Sequence, residues 1–183
     1  MSESPLVWRE PFSIRAYEVG PDETASVLTV CDLLQEAAGE HARAADREGF
    51  PLPNGGRSTW VLARLRLQLH RRPRMRERVE VETWPSDLDG LRATRDFRLS
   101  ADGEPLAVAT STWFLMDVAR RRPVRLPRDM ADFAERGKPR ALTLDDAPAP
   151  EPPAPAPHPQ TPHVPIRTPS GRRCGPGRAP SAT

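Results

Sequence analysis

One long stretch with helical spacing near the start of the chain, followed by a series of stretches with the two-residue period of strands, predicts an α+β domain. In it an antiparallel sheet wraps around one long central helix. A third observation points the same way. The helical stretch carries three small residues in succession, Ala37, Ala38 and Gly39. They let another backbone approach closely, at a helix-propensity cost of up to about 1 kcal/mol for the glycine.

Residues 6–17 alternate around Phe12, Ile14 and Ala16 and read as a first strand. Pro11 within it marks an edge or a bulge, because proline donates no ladder hydrogen bond. Gly20, Pro21 and Asp22 end it. The helix is expected over 26–48, with Val27, Val30, Cys31, Leu34, Ala38, Ala42 and Ala45 as its apolar stripe. Thr24 or Ser26 is the expected N-cap and Gly49 the expected stop. After a loop rich in proline and glycine, residues 58–70 alternate. Val61, Ala63, Leu65, Leu67 and Leu69 fall on one face, Trp60, Leu62, Arg64, Arg66, Gln68 and His70 on the other. Residues 78–84 set Val79, Val81 and Thr83 against Glu80, Glu82 and Trp84. Residues 91–100 carry Ala93, Arg95, Phe97 and Leu99 on one face. Asp102-Gly103 signals a tight hairpin. Residues 106–116 are nearly continuously apolar, as a strand inside a sheet requires. Val124 and Leu126 suggest a short last strand, and 129–136 a short helix.

Composition sets the outer limits. The domain is expected over 6–136, with a proline-rich disordered tail over 137–183. From 147 onward about a third of the residues are proline and few are aliphatic, too few to offset chain entropy. The 27 basic and 25 acidic residues nearly balance, which argues against a nucleic-acid partner. Lys138 is the sole lysine, so arginine abundance by itself reflects coding bias. Two cysteines, Cys31 and Cys174, make no disulfide framework and fit a cytoplasmic chain. Neither a signal peptide nor an apolar run long enough to enter a membrane is visible. No metal-ligand spacing is present, and no cofactor is expected.

Several segments, in order, carry a resemblance: FSIRAYEVGPDETASVLTVCDLLQEAAGEHA, WVLARLRLQLHRRPRMRERVEVETWP, RATRDFRL, GEPLAVATSTWFLMD and RRPVRLP. Together they span about 8–135 and resemble the N-terminal half of the acyl-ACP thioesterase family. The resemblance implies a hotdog fold and hydrolysis of fatty acyl thioesters in fatty acid biosynthesis, with acyl-ACP or acyl-CoA as substrate. It also implies a second hotdog domain bearing an Asp-x-Asn-x-His run and a further acidic residue. This sequence departs there: its sole asparagine is Asn54, and His158 and His163 lie in the tail. Ser86-Asp87-Leu88-Asp89 opens like that run, but Gly90 and Leu91 follow, as in a plain β-turn. No catalytic residue carries over. The expectation is a truncated or frameshifted chain, with two functional outcomes: a thioesterase-like protein, or a non-catalytic acyl-binding or dimerisation module.

The candidate residues each carry two readings. Glu36 and Glu40 stand one helical turn apart and share a face, as a water-activating carboxylate pair or as a solvated surface. His41, beside the apolar stripe, is either a general base or a buried histidine with a satisfied hydrogen bond. The helix N-terminus offers free N–H groups to a thioester oxygen. Leu34, Ala38, Trp60, Leu62 and Trp113 are the expected acyl-slot residues, with core packing as the alternative for the tryptophans. Arg71, Arg72, Arg74 and Arg76 form a run suited to docking an acidic carrier protein, or a solvated turn. A lone hotdog leaves a sheet edge uncovered, so a homodimer is expected.

Overall fold

The computed structural model describes residues 6–53 and 55–142. Strand β1 (Trp8–Ser13) leads through a 3₁₀ turn (Ala16–Glu18) to helix α1 (Val27–Ala44). Strands β2 (Ser58–Leu69), β3 (Arg78–Asp89), β4 (Arg92–Ala101), β5 (Glu104–Asp117) and the two-residue β6 (Arg122–Pro123) follow. A 3₁₀ turn (Arg128–Phe133) comes after them. The sheet runs in the order β1-β3-β4-β5-β2, antiparallel throughout, with β6 on β5. Pro11 sits on the edge strand, where its missing N–H costs no ladder bond.

Ser26 caps α1, its hydroxyl accepting from the Thr29 backbone N–H at 3.0 Å. The helix ends four residues earlier than expected. Asp46 adopts φ of 55°, its N–H bonds the Arg43 carbonyl, and the Arg47 N–H reaches back to Ala42 at 2.7 Å. That is a Schellman closure with aspartate in the left-handed position that glycine more often fills, so Gly49 has no capping role. Val30, Leu33, Leu34, Ala37, Ala38 and His41 form the buried face of the helix. The hydrophobic members pack on Val79, Val81, Phe97, Leu99, Ala107 and Ala109 from the inner face of the sheet.

Two bulges alter the expected strand faces. In β2 the register with β5 shifts between Leu62 and Arg64, so Ala63 is the extra residue. Trp60 and Leu62 therefore face inward together with Leu65, Leu67 and Leu69, and Val61 turns to solvent at 43% exposure. In β3 the register shifts between Pro85 and Asp87. The strand continues through Ser86, Asp87, Leu88 and Asp89, and the turn falls at Gly90, with φ of 53°, and Leu91. The β4–β5 hairpin turns at Asp102 and Gly103, with φ of 47° and 84°, the positive pair of a tight two-residue loop.

Residues 134–142 cross the outer face of the sheet. The Glu135 N–H donates to the Pro85 carbonyl at 2.8 Å, Lys138 pairs with Glu82 and lies 4.6 Å from the Trp84 ring, and Leu142 exchanges hydrogen bonds with the Thr110 hydroxyl at 3.1 Å. Trp84, Asp96 and Thr110, all on that face, are fully buried in consequence. The tail expected to be disordered lies, from residue 143 on, outside the described residues.

Candidate acyl-binding site

The helix and the sheet part along the second half of α1, leaving a cavity of about 190 Å³. That is below the roughly 300–1,000 Å³ of drug-sized ligand sites and suits a slender chain. Trp60 from β2 and Trp113 from β5 form one wall, Leu88 and Ala93 from β3 and β4 another, and Met130 and Phe133 of the last 3₁₀ turn close it over. The Trp60 indole is fixed by donating to the Arg47 carbonyl at 2.7 Å, and Trp113 by donating to the Ser111 hydroxyl at 2.7 Å. Anchored rings give a stiff apolar wall.

The helix contributes Gln35, Ala38, Gly39 and Ala42. A Cβ built at Gly39 meets nothing within 4 Å. The expected close backbone approach is therefore absent at this glycine, and its smallness keeps the slot open instead. Because the cavity borders the later turns of α1, the helix N-terminus takes no part in it; the Ser26 cap already uses an N–H there.

The polar groups of the cavity are few. The Arg95 side chain comes from the inner face of β4 and is only 8% exposed. One of its terminal nitrogens lies 3.1 Å from His41 Nδ1 and donates at 3.2 Å to the Thr83 hydroxyl. Since guanidinium only donates, His41 Nδ1 must accept, which fixes His41 as the neutral tautomer with its proton on Nε2. The His41 ring stacks on Trp8 at 5.7 Å and meets Phe133 at 4.9 Å. Burial pushes Arg95 down to about 10, leaving it charged at neutral pH. At the cavity's other cation, Arg47 pairs with Asp129 at 3.1 Å.

The remaining candidates fall elsewhere. Glu36 is exposed, and Glu40 is half-buried and paired with Arg43; neither lines the cavity. Leu34 is buried in the core, and Leu62 faces inward without lining the cavity. Ala38, Trp60 and Trp113 line it. In the β2–β3 connection Arg71 bridges Glu77 at 2.7 Å and Glu104 at 2.9 Å, which holds both carboxyls below the usual carboxylate range. Arg72 pairs with Asp22. Arg74 and Arg76 make no salt bridge among the described residues, where no cluster of metal-binding side chains occurs either. Arg95 had a signal in the sequence, a charge on the inward face of an alternating strand. Met130 and Phe133 had none, because only the fold brings that turn to the cavity.

The acyl-ACP thioesterase N-terminal domain model matches residues 5–133. The chain belongs to the acyl-ACP thioesterase family. It is 34% identical over 139 residues to an oleoyl-acyl carrier protein thioesterase of Coriandrum sativum, a match that covers 72% of this chain and 38% of that one. It is 37% identical over 139 residues to a palmitoyl-acyl carrier protein thioesterase of Cuphea hookeriana, covering 71% and 33%. The chain thus spans little more than a third of the curated relatives it matches. Among solved structures it resembles an acyl-ACP thioesterase from Bacteroides thetaiotaomicron, with TM-score 0.68 and 24% identity, covering 79% of this chain and 59% of the other. It also resembles the 12:0-ACP thioesterase from Umbellularia californica, with TM-score 0.60 and 28% identity, covering 77% and 58%. The sheet curled around α1 is the hotdog fold. No helix among the described residues is long and apolar enough to cross a membrane.

Proposed function

We propose that this chain acts on fatty acyl thioesters of acyl carrier protein, its hotdog domain holding the acyl chain while the thioester is hydrolysed to a free fatty acid. The observation that carries this reading is the slot between the later turns of α1 and the sheet, walled by Trp60 and Trp113. Burying alkyl surface there stabilises binding by about 0.8 kcal/mol per methylene. Hydrolysis also needs a base to activate water. None of the side chains lining the slot is a carboxylate, so none of them is assigned as that base. The same observation favours a second reading, an acyl-binding module without hydrolysis.

Carrier docking falls in this reading to Arg74 and Arg76, since Arg71 and Arg72 are already committed to Glu77, Glu104 and Asp22. A homodimer formed along β2 is part of the proposal. That strand is 12 residues long and, among the described residues, pairs only with β5, which makes it an edge of the sheet. A cytoplasmic setting is supported by the free thiol of Cys31.

The test is thiol release from acyl-ACP and acyl-CoA thioesters, octanoyl to stearoyl, by the purified chain. Release that survives Glu36→Gln and Glu40→Gln is the expected result. Acyl binding without release would select the second reading. Release abolished by either substitution would move the chemistry back to the helix.

A further inference from the structure

Arg95 places a cation inside a mostly apolar slot whose lining holds no carboxylate to meet it, whereas the slot's other cation, Arg47, already pairs with Asp129. The guanidinium is more than nine-tenths buried, lines the cavity and forms no salt bridge among the described residues. Its hydrogen bonds, to His41 Nδ1 and the Thr83 hydroxyl, use one terminal nitrogen alone. Nε and the second terminal nitrogen bond nothing among the described residues. The two nitrogens that remain form the fork that takes a carboxylate with two parallel bonds. His41 supplies no counter-charge, because an imidazole is neutral or cationic, and as an acceptor of this bond it is neutral. An alkyl chain alone would leave the cation desolvated and unmatched, and burial of an unpaired charge is costly.

We propose that this cavity binds a free fatty carboxylate head-inward, the carboxylate on Arg95 and the tail along the Trp60–Trp113 wall. The proposal rests on the reading of the slot as an acyl site and goes beyond it: the ligand is the ionised acid, not the neutral thioester. Bound this way the acid occupies the space an acyl thioester needs, so it competes with acyl thioesters for the slot.

Tryptophan fluorescence provides the readout, since Trp60 and Trp113 line the cavity. The full chain is titrated with octanoate, octanol and methyl octanoate, all below their aggregation concentrations. Octanoate is expected to bind at least about ten-fold more tightly than either neutral ligand, because hydrogen bonds to a charged group are the strong ones. In Arg95→Met that preference disappears while octanol binds at least as well as before, and in Arg95→Lys part of it returns. Equal or weaker binding of octanoate by the wild type overturns the proposal without any variant. Retention of the full preference in a folded Arg95→Met protein overturns it too. Octanol binding without a carboxylate preference leaves the acyl slot standing and removes only this inference. No binding of any of the three removes both.

Discussion

Burial lowers Arg95 to about 10, so the guanidinium stays charged at neutral pH and the folded chain bears the cost of desolvating that charge. The cost is on the order of 3 kcal/mol. It is present in full below about pH 10 and fades only as pH rises through that value toward the ordinary arginine range. Arg95→Met is therefore expected to raise the thermal midpoint at pH 7, despite leaving the Thr83 hydroxyl and His41 Nδ1 without this donor; a lower midpoint would show that those bonds outweigh the desolvation. Glu77 behaves oppositely. Arg71 depresses it below its ordinary 4.5, so its contribution is complete above that value and is lost as pH falls through the lower folded one. Stability of Glu77→Gln against urea should fall below that of the wild type at pH 7. The difference should close as pH drops below the folded-state value. At the helix start, Ser26→Ala removes the cap on Thr29. It should cost about 1 kcal/mol, read as a lower urea midpoint at unchanged slope.

Helix α1 shows how far an element is legible from its sequence. Its start, its stripe and its N-cap all follow from spacing and residue type. Its end does not: aspartate in the left-handed region at Asp46 is rare enough that Gly49 reads as the better stop. The strand faces were legible only between bulges. Nothing local to 58–70 says that Ala63 is extra, because the bulge is a property of the pairing with β5. Arg95 was visible as an inward charge, but its lack of a carboxylate partner depends on which side chains β3 and α1 bring against it. Gly39 gives a test at this scale. With nothing within 4 Å of its Cβ position, Gly39→Ala should stabilise the helix by up to about 1 kcal/mol. Gly39→Leu should do so as well, but at the expense of octanol and octanoate binding. Stabilisation without loss of binding would place the ligand elsewhere.

At the scale of the whole molecule the segment 134–142 is part of what keeps the outer face of the sheet dry. Truncation after residue 136 removes Lys138 and Leu142 from Trp84 and Thr110. It is expected to lower the thermal midpoint by several degrees, whereas truncation after residue 146 leaves it unchanged. Equal midpoints for the two would end the ordered domain at residue 136. In the proposal made above, the edge of β2 is where two copies associate. Sedimentation of the full chain at micromolar concentration should give a dimer, and Val61→Lys on the exposed face of that strand should weaken it. A folded monomer would remove β2 as an interface. Carrier recognition belongs here too: Arg74→Glu with Arg76→Glu should lower kcat/KM for acyl-ACP about ten-fold at low salt and leave acyl-CoA unaffected.

The Ala63 bulge divides one strand between two duties. Before it, Trp60 faces the cavity; after it, Leu65, Leu67 and Leu69 face the core. Residues before the bulge can therefore change to suit a longer or shorter tail while the packing that holds the sheet to α1 stays as it is. Were Ala63 instead paired as an ordinary ladder residue, the strand before it would slip by one, turning Trp60 and Leu62 to solvent and bringing Val61 inward. Its deletion, by contrast, would remove the bulge and leave Trp60 and Leu62 in phase with Leu65 and facing inward. The wall of the slot is thus set by where along β2 the extra residue sits as well as by which side chains the strand carries.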